Sequence, residues 1–60
     1  MTEKEIVNWM QENVKTNGFT DAASLAKEFF QTHNITDSLS PDFSKTLDAG
    51  FKVAQEIYQL

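Results

Sequence analysis

The dipeptide Ser40-Pro41 divides this chain more firmly than any other feature in it. Proline has no amide hydrogen, and its ring collides with the preceding helical turn, so a regular helix does not continue through position 41. At the first position of a helix the same residue costs nothing, and a serine just before it can cap the free amides. Asp42 adds negative charge where the helix dipole favours it. A helix is therefore expected from residue 41. Apolar residues beyond it recur at helical spacing: Phe43, Leu47, Phe51, Ala54 and Tyr58, with Gly50, Val53 and Ile57 widening the face. Gly50 in mid-helix costs about 1 kcal/mol against alanine. Close packing against another helix is the first explanation, with a mild kink or a ligand-facing notch as the others.

Two further helices are written upstream of the proline. Thr2 and Glu5 have the spacing of a capping box, with Met1 and Ile6 placed as a hydrophobic staple. Ile6, Val7, Met10 and Val14 form the stripe that follows, and Trp9 widens it toward a second contact face. Asn17-Gly18 ends this helix, because glycine takes positive φ cheaply. The next helix starts near Thr20 or Asp21, either of which can cap it. Its stripe is Ala22, Leu25, Ala26, Phe29 and Phe30, and the small Ala22, Ala23 and Ala26 permit a close helix crossing. It ends at Thr32-His33-Asn34, with Asn34 as a left-handed cap and Ile35 folding back over Phe30 or Gln31. Residues 36–40 form a linker from which Leu39 is expected to plug the core.

The expected fold class is thus all-α: a compact three-helix bundle, helix-turn-helix-like in one variant, with helices at about 3–16, 21–33 and 41–58. Sixty residues allow a single domain spanning 1–60. No alternating apolar run supports a strand. Short connections make consecutive helices neighbours, around a core centred on Trp9, Phe29, Phe43 and Phe51.

Composition removes several function classes. Cysteine is absent, which excludes disulfides and thiolate chemistry. No apolar run approaches the roughly 20 residues of a membrane span, and residues 1–11 carry no signal-peptide core, so a cytoplasmic location is expected. The one histidine, His33, is expected to be a solvated last-turn residue. It lacks the companions of a zinc site, Asp37 being the one acid expected near it. Residues 36–42 lack the central glycine of a calcium loop. Two glycines, Gly18 and Gly50, cannot make a phosphate or dinucleotide loop. Glu3 and Glu5 do not face one another, and Ser24 with Lys27 is an ordinary surface pair. No catalytic, metal or cofactor residues are assigned, and the chain is expected not to be an enzyme.

The segment GFTDAASLAKEFF, residues 18–30, joins a glycine-ended helix to a capped one carrying Leu-Ala. With the preceding helix, residues 6–30 resemble the first half of many winged-helix or LexA-like domains. That resemblance implies a helix-turn-helix whose next helix reads DNA, presenting Ser44, Lys45, Asp48, Lys52, Gln55, Glu56 and Gln59. Lys45 and Lys52 are then the candidate nucleic-acid contacts. The charge balance opposes it. Nine acids outweigh five lysines for a net charge of −4, and there is no arginine to clamp phosphate or read guanine. Asp42 would also sit near phosphates.

Protein contact is the better-supported expectation. Trp9, Phe19, Phe29, Phe30, Ile35, Leu39, Phe43, Phe51, Ile57, Tyr58 and Leu60 are many large apolar side chains for three short helices. Either all fill one small core, or some meet a partner. Phe29 and Phe30 diverge by about 100° around their helix, so one can be core while the other is contact. Trp9 and Tyr58 are amphipathic types favoured in contact patches. Trp9, Phe30 and Tyr58 are the candidate contact residues, and the partner is another protein or a second copy. The expected function is a small accessory or regulatory protein acting by protein–protein interaction, with a helix-turn-helix-like DNA-binding module as the alternative.

Overall fold

A computed structural model describes residues 1–59; Leu60, counted above among the large apolar side chains, lies outside the described residues. The local end signals act much as their chemistry dictates. Helix α1 spans Glu3–Asn17. The Glu5 amide donates to Thr2 Oγ1 at 3.2 Å, and the Thr2 amide donates to Glu5 Oε1 at 2.8 Å, which completes the capping box. Gly18 closes the helix, its amide bonding Val14 O at 2.8 Å. Helix α2 spans Ala22–Thr32 and is capped by Asp21, whose Oδ1 accepts from the Ser24 amide at 2.7 Å. At its end Asn34 adopts φ 55°. The Ile35 amide then reaches back to Phe30 O at 2.9 Å, the six-to-one bond of a Schellman turn, and Ile35 folds against the core. Helix α3 spans Pro41–Tyr58, with Ser40 as its cap and Pro41 at its first turn.

The three helices are not equivalent. α3 packs along both α1 and α2, whereas the backbones of α1 and α2 barely approach each other despite their short connection. Those two meet through side chains, Trp9 lying edge-on to Phe29 with ring centroids 5.3 Å apart. A helix held between two neighbours must be thin on the side it shows to both. The buried residues of α3 are accordingly Thr46, Ala49, Gly50, Val53 and Ala54. A Cβ on Gly50 would stand 3.2 Å from Ala22 O and 3.9 Å from Met10 Cε, so the glycine marks the point where all three helices converge. Thr46 is fully buried but satisfied, its hydroxyl donating to Asp42 O at 2.6 Å. Ile6 and Met10 of α1 and Leu25 and Phe29 of α2 complete the core.

This geometry corrects three expectations. Leu47 and Phe51 are not core residues: they are 41% and 65% exposed, alongside Tyr58 at 71%. α3 is rotated so that its small residues, rather than its large ones, face both neighbours. Phe51 therefore leaves the expected core centre, and Phe43 is half-buried against Phe30. Leu39 does not plug the core but is 88% exposed, because residues 37–40 close a tight turn of their own. There the Leu39 amide donates to Asp37 Oδ1 at 2.8 Å and the Ser40 amide to Asp37 O at 3.0 Å. The staple is also loose: Met1 is 46% exposed, and its amino group lies 3.3 Å from Asp42 Oδ1.

Candidate protein-contact surface

Leu47, Phe51, Ala54 and Tyr58 follow one another at spacings of four, three and four, so they line one edge of α3. The core face of the same helix lies about 80° to 100° further round. The stripe overlooks an open groove of about 490 Å³ between the C-terminal half of α3 and the start of α2. Ala22 and Ala54 are its small lining residues and Phe51 and Tyr58 its large ones. Asp21, Gln55 and Gln59 supply the polar rim. Phe19 extends the aromatic surface, lying edge-on to Tyr58 at 5.8 Å.

The three aromatics named from sequence each take a different aromatic partner. Tyr58 belongs to the groove. Trp9 is half-buried against Phe29 and lies 5.6 Å from the His33 ring. Phe30 stacks on Phe43 with centroids 4.7 Å apart and planes within 5°. Helical periodicity alone puts Leu47 and Phe51 in the core and so misses them as surface residues. The signal that could have found them is the second stripe, Thr46, Ala49, Gly50 and Val53, running beside the large one.

The lysines of the nucleic-acid alternative point toward α1. Lys52 Nζ lies 3.0 Å from Glu3 Oε1, and Lys45 Nζ donates to Met1 O at 3.2 Å, beside the Met1–Asp42 pair. Acids thus sit among the lysines, and Lys52 already has an anionic partner.

His33 is only partly solvated, where a solvated residue is expected from the sequence. It stacks on Phe29 at 4.0 Å, and its Nδ1 lies 3.0 Å from Phe29 O. A carbonyl only accepts, so that nitrogen carries the hydrogen. Among the described residues no three histidine, aspartate or glutamate side chains cluster to hold a metal. No described helix is long and apolar enough to cross a membrane. Two smaller depressions are more polar. One, about 320 Å³, contains Gln11, whose Nε2 donates to Glu56 Oε2 at 3.2 Å. The other, about 230 Å³, lies beside Trp9 and Asn13, and Asn13 Oδ1 is buried without a hydrogen-bond partner. The Glu5 carboxyl is held below its usual range, first by the Thr2 amide and then by the Thr2 hydroxyl.

No family model, curated protein or solved structure matches this chain.

Proposed function

We propose that the protein is a small, non-enzymatic accessory or regulatory protein that acts by binding a protein through the outer edge of α3. One observation carries this reading: Leu47, Phe51 and Tyr58 stand exposed in a single stripe, and the last two wall a groove with Ala22 and Ala54 as its small lining residues. This short chain carries more large apolar side chains than its small core takes up. Leaving three of them in water, contiguous and at helical spacing, suits a contact surface. A cytoplasmic setting and a partner that is either a second copy or another protein are part of the same proposal. The helix-turn-helix alternative has less support, since Glu3 neutralises Lys52 and an acidic chain without arginine repels DNA at long range.

Affinity capture from the native cell tests this, with wild-type and Phe51→Gln baits each divided into nuclease-treated and untreated halves. The proposal predicts protein retained by the wild-type bait in both halves and lost from the Phe51→Gln bait. Recovery of nucleic acid with its proteins in the untreated half alone would overturn it in favour of DNA binding.

A further inference from the structure

Phe51, Ala54, Gln55 and Tyr58 occupy positions i, i+3, i+4 and i+7 of α3. Four residues so spaced form the hole that receives one side chain in knobs-into-holes helix packing. All four line the groove of about 490 Å³, and Ala54 keeps its middle low. Phe51 is also the most obvious knob on the surface, an aromatic ring 65% exposed on the same edge of the same helix. Knob and hole centres are separated by about three to four residues, or roughly 5 Å along the axis. A two-fold axis perpendicular to α3, passing near residues 52 and 53, would seat the Phe51 of each copy in the hole of the other.

We infer that this chain pairs with a second copy of itself, α3 against α3 and antiparallel, with Phe51 of each copy filling the partner's groove. The inference rests on α3 being the contact surface. In this register Phe51 meets the partner's Ala54 and Leu47 meets the partner's Tyr58, so large residues oppose small ones at the centre and the bulky pair closes each end. Charge permits it too, although each copy carries −4. Asp48 and Gln55 flank the seam, and the antiparallel register sets carboxylate against amide instead of acid against acid. The helix dipoles then oppose rather than align. A parallel pair would instead set Phe51 against Phe51 and leave the hole half-filled.

The area fixes the strength. Leu47, Phe51 and Tyr58 leave on the order of 400 Å² exposed per copy, and their polar rim raises the patch to about 600 Å². Two copies then bury at most about 1,200 Å², the lower edge for a stable complex. The dimer is reversible and concentration-dependent.

Sedimentation equilibrium of the full chain from about 5 μM to about 1 mM reads this out across the range where weak interfaces form. The wild type is expected to rise from its 6.8 kDa monomer toward twice that mass. Phe51→Gln should weaken association at least about tenfold with its helical circular dichroism intact. If that variant loses its helix signal, Tyr58→Ser, also highly exposed, takes its place with the same expectation. Orientation is read from single cysteines, which are unique in a chain that has none. An equimolar, oxidised mixture of Asp48→Cys and Gln55→Cys should give the mixed disulfide well above the half share that random pairing produces. A monomer at about 1 mM, undiminished association of Phe51→Gln, or a mixed disulfide at or below its random share would each overturn the inference. Monomeric protein that still captures a cellular partner through Phe51 would sink self-association alone and leave the contact surface standing.

Discussion

At Gly18 the chain leaves α1 with φ 83° and ψ 178°. L-residues avoid that region, and a side chain there would cost about 1–3 kcal/mol in backbone strain. Nothing lies within 4 Å of the point where a Cβ on Gly18 would stand, so the cost is conformational and not steric. Gly18→Ala should therefore lower stability by about 1–3 kcal/mol in denaturant titration, while a synthetic chain with D-alanine at 18 should match or exceed the wild type. Glu5 shows the same economy of local chemistry. Its carboxyl is depressed chiefly by the Thr2 amide. A depressed carboxyl contributes stability above its unfolded-state pKa and loses it as pH falls through the folded value. Helicity of α1 should thus decline on acidification below about pH 4.3, and Glu5→Gln should flatten that part of the profile. A Glu5→Gln profile identical to wild type would remove the capping box from the account. Trp9, by contrast, acts through packing. Its edge-on contact with Phe29 predicts that Trp9→Ala costs about 2 kcal/mol, below the usual range for a fully buried tryptophan because Trp9 is partly exposed.

Helix α3 shows what sequence periodicity can and cannot decide. Its start was legible because Ser40, Pro41 and Asp42 act on their own backbone neighbours. The same holds for the Thr2–Glu5 box, Gly18 and Asn34. Its buried face was not legible. Two apolar stripes run side by side on α3, and hydrophobicity favours the one with Leu47, Phe51 and Tyr58. Packing favours the other, because Ala22 and Met10 come within 4 Å of where a Gly50 side chain would begin. That constraint is set by residues about 28 and 40 positions away and leaves no local trace beyond the small residues themselves. The candidate site was half-legible for the same reason: periodicity and residue type bring Tyr58 to the surface but leave Phe51 and Leu47 in the core. Gly50→Val tests the crossing directly. Overpacking at this site should cost about 1–3 kcal/mol, enough to outweigh the roughly 0.5 kcal/mol that valine gains over glycine in helix propensity. An unchanged melting temperature would mean α2 and α3 are further apart than the structure has them.

The whole molecule measures 33 × 18 × 17 Å, with a radius of gyration of 10.6 Å against about 10.4 Å expected for a compact chain of this length. Within it α3 has two duties. One face holds α1 and α2 together, and the adjacent edge is left to the outside. Phe51 and Val53, two residues apart, fall on opposite sides of that division: Phe51 largely in water, Val53 buried in the core. Thermal unfolding of Phe51→Gln and Val53→Gln, followed by circular dichroism in dilute solution, tests the division most directly. Phe51→Gln should melt cooperatively within about 5 °C of the wild type, a shift of at most about 1 kcal/mol for a domain this size. Val53→Gln, which forces an amide into the centre of the bundle, should lose most of its folded signal at room temperature. Equal collapse of both variants, or survival of Val53→Gln alone, would contradict the account by placing Phe51 in the core and leaving no free edge on α3 for a partner.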